Sequence, residues 1–535
     1  MTATMQTLLF MLAVLAAAAV AAKRLNMAPS IMLVVAGISM ALIPGLPDIQ
    51  LAPEVVLLVF LPPLIYSAGV AMSWREFRFN LRPIGLLAFG CVVFTTCAVA
   101  AVAHYLLKFD WATGFVLGAI IAPPDVVAPL AIARRLGLPR RLVVVLEGEG
   151  LANDATALIL YRFAVAAVVS GTFSLEKAAG TFGLIVVGEI VYGIGVGWLS
   201  LRLRQWAREP RVEITLSLMT PYLAFWVPEH LGGSGVLATV ACGLYVSWNG
   251  PLLISSATRL QGIFFWDLLV YLIEGLVFLL TGLQARALIQ NASEFPFVDL
   301  LEATAWTTLV VIAARFVWVF PATYIPRWVS PGLRKRDPSP PWQSPFLLSF
   351  TGVRGVVSLA AALALPYTLD NGQLFPHRSL ILLVVFGVII VTLVGQGLML
   401  PSVVRWLGLS RLGTEEHLAE IKAELSARTT ALDEISRRLD TVVAERELPQ
   451  DVINLLRTRN LSRTQVVPAD LEDALAQMRL SASVKKELID AERAFVYQLL
   501  RDGKITDEAR RRIEYELDLE EASVANRAHD GGGWM

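Results

Sequence analysis

Residues 147–156 read Glu-Gly-Glu-Gly-Leu-Ala-Asn-Asp-Ala-Thr and interrupt a long apolar segment. A charge in the middle of a membrane helix costs roughly 2.5–3.5 kcal/mol, so Glu149 and Asp154 need compensation. At helical spacing, Asn153 lies one turn after Glu149. Asp154 likewise lies one turn after Gly150, so the four residues form one polar stripe that must face protein or water. Two interpretations stay open: a structural charge pair that fixes helix packing, or an ion site at the middle of the membrane.

The composition is that of a polytopic membrane protein. Of the 535 residues, 56% are hydrophobic and only 17% are charged, which excludes an ordinary soluble protein. The formal net charge is zero, so nothing indicates a nucleic-acid partner. The cysteines and histidines show no metal-ligand spacing, and no glycine-rich phosphate loop is present. We therefore predict that the protein is not an enzyme and needs no cofactor.

Thirteen apolar segments are long enough to cross a membrane. They lie near residues 4–22, 27–44, 51–72, 83–107, 111–136, 142–170, 178–201, 214–230, 234–248, 259–285, 298–326, 345–366 and 379–402. Lysine and arginine concentrate in the loops after odd-numbered segments, which the positive-inside rule places in the cytoplasm. These features predict an all-α, multi-pass protein of the cell membrane, with its N-terminus outside and its C-terminal tail in the cytoplasm.

Two segments are interrupted at their middle. Pro123 and Pro124 remove two backbone donors from the fifth segment. The twelfth contains Gly352 and Gly355 on either side of Val-Arg. A broken helix at membrane depth is tolerated only where it lines a cavity, so the breaks favour a transport site. Segments five and twelve are seven apart, the offset expected if segments 1–6 and 8–13 are inverted repeats.

The remaining intramembrane charges suggest a division of roles. Arg315 interrupts an apolar run, and Glu149 is the obvious acid to pair with it. Asp154 is then the free carboxylate, able to bind a small cation or a proton but not both. Because Asn153 cannot ionise, this single carboxylate predicts exchange of one cation per proton. Its hard oxygen atoms suit sodium or lithium and, in a wider cavity, potassium.

Four other charged residues lie in apolar segments. Asp125 follows the first break, where it caps a half-helix and attracts cations. Arg354 is interpreted as compensating partial charges at the broken helices. For Glu189 and Glu274, two functions stay open: lining an access funnel or forming local hydrogen bonds.

Two features concern packing and assembly. Gly193, Gly195 and Gly197 allow close helix approach, either within the chain or at a dimer interface. After Leu409 the chain becomes charged and helical in pattern, with apolar residues at heptad spacing. These residues are Leu418, Ile421, Leu425, Leu432, Ile435, Leu439 and Val442. The tail is either a small helical bundle or a dimerising or regulatory element.

The chain resembles the sodium/proton exchangers, the electroneutral branch of monovalent cation:proton antiporters, in their bacterial form. Residues 149–154, Glu-Gly-Leu-Ala-Asn-Asp, are similar to the family's glutamate–serine–x–x–asparagine–aspartate motif. Four further stretches resemble family signatures: 60–64, 123–125, 274–283 and 352–355. The resemblance covers about residues 5–405.

The resemblance implies a homodimer that works by an elevator-like movement. The exchanger domain is residues 1–409, and residues 410–535 form the cytoplasmic tail. Core helices are implied at about 83–170 and 298–402, and dimerisation or scaffold helices at about 4–72 and 178–285.

The resemblance also assigns residues of the site. It implies that Asp154 is the cation and proton site, that Asn153 assists it, and that Asp125 lies near the crossing of the broken helices. Arg315 resembles the family's partner for the glutamate at Glu149.

Three positions depart from the family pattern. Gly150 stands where a serine is usual, Pro124 replaces a threonine, and Ser67 occupies a position that often bears an acid. The cation ligands expected are therefore Asp154, backbone carbonyls and water. The predicted function is exchange of sodium, lithium or potassium for protons, serving pH and cation homeostasis. The alternatives are a potassium/proton antiporter, an ion channel and a non-transporting membrane sensor.

Overall fold

The computed structural model describes residues 2–43, 51–171, 174–292, 295–370, 372–445, 450–464 and 471–529. Within these ranges every regular element is a helix, apart from one isolated bridge between Thr368 and Leu374. The prediction of an all-α protein is confirmed.

Helices occupy all thirteen predicted membrane segments. The helices up to residue 407 are Thr2–Leu25, Pro29–Ala41, Pro53–Ala71, Trp74–Phe79, Leu81–Tyr105, Trp111–Ile121, Val127–Arg135, Arg140–Ser170, Leu175–Ala207, Pro210–His230, Val236–Leu253, Ser256–Leu283, Ala285–Ala292, Phe297–Val329, Pro331–Arg336, Gln343–Phe350, Val356–Leu363 and Arg378–Leu407. Among the described residues, nine helices are long and apolar enough to cross a membrane, and Pro29–Ala41 and Trp111–Ile121 are shorter apolar helices. The protein is therefore multi-pass. Thirteen crossings, and their relation as inverted repeats, stay predictions.

The two predicted helix breaks are present and contact each other. The first separates Trp111–Ile121 from Val127–Arg135, and the second separates Gln343–Phe350 from Val356–Leu363. The backbone N–H of Asp125 in the first break donates to the carbonyl oxygen of Val353 in the second, at 2.7 Å. This bond satisfies backbone groups that the interrupted helices leave without intrahelical partners.

Two pairs of apolar helices pack with backbone against backbone. A Cβ atom added to Gly282 would overlap the carbonyl oxygen of Val34, and one added to Gly37 would overlap that of Leu279. A Cβ on Gly193 would overlap the carbonyl oxygen of Ala238 in the same chain. Gly193 therefore serves packing inside the protomer, as small residues commonly do between membrane helices.

The helices that carry Glu149 and Arg315 are joined at one end by Asp337. Its carboxylate lies 2.8 Å from a guanidinium nitrogen of each of three arginines, Arg82, Arg141 and Arg327. Burial alone would raise the pKa of Asp337, but its hydrogen bonds and ion pairs with Arg141 and Arg327 hold that pKa below its usual value. The carboxylate thus stays ionised at neutral pH and fixes these helix ends.

The chain packs as two units, one of residues 1–136 and 141–409, the other of residues 137–140 and 410–535. The helices of the tail are Leu409–Glu445, Gln450–Thr464, Leu471–Arg501 and Asp507–His529. Arg493 forms ion pairs with Asp518 and Glu521, joining the last two helices into a hairpin. Of the heptad positions, Ile421 and Leu432 are buried, whereas the side chain of Leu425 lies outside the described residues. A dimerising or regulatory function of the tail stays a prediction.

Candidate functional site

Glu149 and Arg315 form a buried, bidentate ion pair. Nη1 of Arg315 lies 2.5 Å from Oε1 of Glu149, and Nη2 lies 3.1 Å from Oε2. The Glu149 side chain is 0% exposed and the Arg315 side chain is 2% exposed. Nη2 also donates to the carbonyl oxygen of Leu348, at 2.7 Å, near the end of a half-helix. The pair therefore compensates both charges and holds the second break against the Glu149 helix, Arg140–Ser170.

Asn153 ties the first break to the Glu149 helix. Its side chain is fully buried, and its Nδ2 donates to the carbonyl oxygen of Pro124 at 2.7 Å. Its Oδ1 accepts the backbone N–H of Asp154, also at 2.7 Å. Both polar atoms of the amide are thus engaged with backbone. Asn153 therefore links the first break to the backbone of Asp154 and holds the two next to each other.

Asp125 caps the half-helix that follows the first break. Its Oδ1 accepts the backbone N–H of Val127 at 2.9 Å, which satisfies one of the donors left free at a helix start. Its other carboxylate oxygen faces Gly355, where an added Cβ would overlap it. Gly355 is therefore required for the close approach of the two breaks.

Arg354 is fully buried and donates to carbonyl oxygens at both breaks. Nε bonds the carbonyl oxygen of Ile121 at 2.5 Å, and Nη1 bonds that of Gly352. Ile121 ends its half-helix, where unpaired carbonyls carry negative partial charge. Nη2 has no partner among the described residues. Arg354 therefore offsets partial charges at the breaks rather than pairing with a carboxylate.

A cavity of about 330 Å³ lies beside the breaks. Its wall includes the carboxylate-bearing residues Asp125, Asp154 and Glu274, together with Pro123, Pro124, Gly355 and Ser358. Within the described part of the chain, the Asp154 carboxylate makes no hydrogen bond and no ion pair. A buried carboxylate is costly unless something neutralises it, so this cavity can accommodate a cation or a proton at Asp154.

One end of the cavity reaches the protein surface. Arg134 and Glu147 line that end and form an ion pair at 2.7 Å, and the Arg134 side chain is 55% exposed. Arg134 lies in the last turn of Val127–Arg135, and Glu147 lies about two turns into the Glu149 helix, after the short connection of residues 136–139. Because Arg134 is paired with Glu147, neither Asp154 nor Glu274 forms an ion pair with it in the described part of the chain.

Three positions that depart from the expected motif have specific surroundings. A Cβ on Gly150 would overlap the Val126 side chain, so valine fills the space beside this glycine. The Ser67 hydroxyl donates to the Leu64 carbonyl in its own helix, at 2.9 Å, and Ser67 does not line the cavity. The Pro124 carbonyl is occupied by Asn153. Sequence reasoning missed Val126, because no pattern in the chain relates it to residue 150.

Introducing the usual serine at position 150 is therefore expected to reduce exchange. Gly150→Ser forces Val126 to move, and a β-branched side chain has few alternative rotamers beside a helix break. Gly150→Ser/Val126→Ala removes the overlap and is expected to recover most of the activity. Cation-dependent proton movement in proteoliposomes measures both variants, with Val126→Ala alone as the control. Unchanged activity of the single Gly150→Ser variant would contradict this prediction, because it would show that the Val126 side chain moves aside without cost.

The two glutamates left open by the sequence have different surroundings. Glu189 accepts backbone N–H groups of Ser234, Gly235 and Leu237 at 2.5–3.1 Å and caps the helix Val236–Leu253. For Glu189 the local hydrogen-bonding alternative is correct. Glu274 instead lines the cavity.

Comparison with known proteins agrees with this architecture. The family "Sodium/hydrogen exchanger, transmembrane" matches residues 10–406. A Na⁺/H⁺ exchanger of Mycobacterium tuberculosis is 36% identical over 516 residues, covering 94% of this chain and 93% of the relative. An antiporter of Bacillus pumilus, named for sodium, potassium, lithium and rubidium, is 33% identical over 377 residues, which is 68% of this chain and 56% of the relative.

A solved structure shares the fold. The sodium proton antiporter MjNhaP1 of Methanocaldococcus jannaschii superimposes with a TM-score of 0.60 at 15% identity, covering 76% of this chain and 99% of its own. This likeness concerns the helical architecture alone. The match over residues 10–406 and the 36% identity to the Mycobacterium tuberculosis exchanger show that the chain belongs to the sodium/hydrogen exchanger family.

Proposed function

We propose that this protein exchanges a monovalent cation for protons across the membrane, by competition at Asp154. The observation that carries the proposal is the cavity in which, among the described residues, the Asp154 carboxylate has no hydrogen-bond or ion-pair partner, while Glu149 is neutralised by Arg315 nearby. A carboxylate that binds a proton loses its charge and its affinity for a cation. Binding of either species therefore excludes the other, and alternating access couples their movements.

Each supporting residue has a defined task in this proposal. Asn153 positions the first break beside Asp154, and Asp125 caps the following half-helix with one oxygen and offers the other to the cavity. Arg315 and Arg354 hold the second break in place. Since Asn153 cannot carry a proton, we propose one cation per proton and electroneutral exchange.

Sodium is the first candidate cation, with lithium or potassium as alternatives. Carboxylate, carbonyl and hydroxyl oxygens are hard ligands suited to these ions. Position 150 offers no hydroxyl, and Val126 occupies the space beside it. The Bacillus pumilus relative is named for four alkali cations, which supports a broad cation range here as well.

The proposed setting is the cell membrane, with the tail, residues 410–535, in the cytoplasm. The surface-reaching end of the cavity lies beside Arg134 and the loop that the positive-inside rule assigns to the cytoplasm. The cavity is then open inward. We also propose a homodimer formed through the scaffold helices at about 4–72 and 178–285, with core helices at about 83–170 and 298–402, and a physiological contribution to pH and cation homeostasis.

Exchange in proteoliposomes tests the function. The purified full chain is reconstituted with an internal pH dye, a pH gradient is imposed, and lithium, sodium, potassium or choline chloride is added. Saturable collapse of the gradient by at least one alkali cation, and none by choline, is expected. Cation current without proton coupling would instead indicate a channel. If none of the three alkali cations collapses the pH gradient or produces a current, the proposal is overturned in favour of a sensor.

A further inference from the structure

We propose that Glu274, together with the hydroxyl of Ser358, forms an accessory alkali-cation site in the cavity that captures cations for Asp154. The inference rests on the exchange proposed above and deepens it. Glu274 comes from the helix Ser256–Leu283, whereas Asp154 lies on the Glu149 helix, and both residues line the same cavity.

The carboxylate of Glu274 is not paired with any group of the described residues. Glu274 is half-buried, and among the described residues its carboxylate makes no hydrogen bond and no ion pair. The charge of Arg134, which is paired with Glu147, acts on it only at longer range. Two deeper acids of the membrane helices are saturated by contrast: Glu149 by Arg315, and Glu189 by three backbone N–H groups. Burying a carboxylate without such donors is strongly unfavourable. The missing partner is supplied by the cavity, as a cation with its water.

The same wall of the cavity contains a serine hydroxyl that is not hydrogen-bonded within the described residues. Ser358 is only 3% exposed, yet its hydroxyl forms no hydrogen bond within the described part of the chain. It lines the cavity, and its helix, Val356–Leu363, contacts the Glu274 helix. A serine in a helix commonly bonds a carbonyl of the preceding turn, as Ser349 does. The Ser358 oxygen is thus left available to a ligand.

The rest of the cavity wall is mostly apolar or charge-paired. Glu147 is neutralised by Arg134, and the facing helix, Pro53–Ala71, contributes only apolar side chains to the cavity. Asp154, Glu274 and the free oxygen of Asp125 are therefore the anionic groups that remain for a cation. A second carboxylate in a low-dielectric cavity raises the local cation concentration at the first. This predicts an effect on the cation concentration needed for exchange.

Glu274→Gln is expected to raise the cation KM of exchange about tenfold, equivalent to about 1.4 kcal/mol, with little change in maximal rate. Glu274→Asp keeps the charge and is expected to recover part of the affinity, and Ser358→Ala to raise the KM in the same direction. The matched control is Asp267→Asn, an exposed acid on the same helix outside the cavity, which is expected to match the wild type. A purely structural role for Glu274 would lower the maximal rate and the melting temperature without this KM change.

Equilibrium binding of radiolabelled sodium to the detergent-solubilised full chain separates this inference from the proposed function. An unchanged KM and unchanged sodium affinity in Glu274→Gln, with active wild type, would overturn the accessory site and leave the exchanger intact. If the wild type fails to exchange, the proposed function fails. In that case, weaker sodium binding by Glu274→Gln would still support the site, and equal binding would overturn it.

Discussion

Asp154→Asn is expected to reduce cation-dependent proton movement to the level of protein-free vesicles. The substitution keeps the shape of the side chain and removes the only function that the proposal gives it, the choice between a proton and a cation. Asparagine cannot take up a proton at physiological pH, so it cannot alternate between the two loaded states. The measurement is gradient collapse by lithium, sodium and potassium in proteoliposomes, using equal amounts of protein.

The variant should remain folded, since among the described residues the Asp154 carboxylate makes no hydrogen bond or ion pair that asparagine would lose. An unchanged melting temperature in detergent is therefore the accompanying control. The matched transport control is again Asp267→Asn, which removes an exposed carboxylate from a neighbouring helix. Exchange by Asp154→Asn at a rate comparable to the wild type would refute the central role of this residue.

The second large effect concerns stability. Glu149→Gln or Arg315→Gln alone is expected to destabilise the folded protein by about 3–5 kcal/mol, because each leaves its buried partner without a counter-charge. Arg315→Gln also removes the bond to the Leu348 carbonyl at the end of a half-helix, so it is expected to be the more damaging variant. Thermal melting in detergent, followed by the amount of monodisperse protein, measures both.

The double variant Glu149→Gln/Arg315→Gln provides the decisive comparison. Two neutral amides can hydrogen-bond to each other and leave no isolated charge, so the double variant is expected to be more stable than either single one. Effects that simply add would show that the two residues contribute independently. Exchange by the stable double variant would further indicate that the pair supports the site without binding the cation.

Much of this arrangement could be predicted from sequence because lipid restricts the possibilities. Pro123 and Pro124 cannot continue a helix, and an interrupted helix in the membrane must find backbone partners, so a buried break was predictable. Glu149 and Arg315 carry opposite charges in apolar segments, and each requires a counter-charge there, so their pairing was predictable. The structure places them in contact although 166 positions separate them.

Other features depend on contacts that no local pattern encodes. Glu189 and Glu274 stand in similar apolar surroundings, but only Glu189 meets the start of a helix, 45 residues later in the chain. Val126 beside Gly150 and the Pro124 carbonyl on Asn153 are likewise tertiary contacts. Periodicity and charge identify which residues need a partner. They identify the partner only where the candidates are few.

The close contacts at Gly37, Gly282 and Gly193 limit how the apolar helices can move against each other. Lipid tails are as apolar as leucine, so helices in a bilayer gain little from burying apolar side chains against each other and depend on close van der Waals contact. Where Gly37 meets Gly282 and Gly193 meets Ala238, main chain lies directly against main chain, and no flexible side chain can absorb a displacement. These helix pairs therefore resist sliding and bending, and they give the protein a stiff frame beside the broken helices.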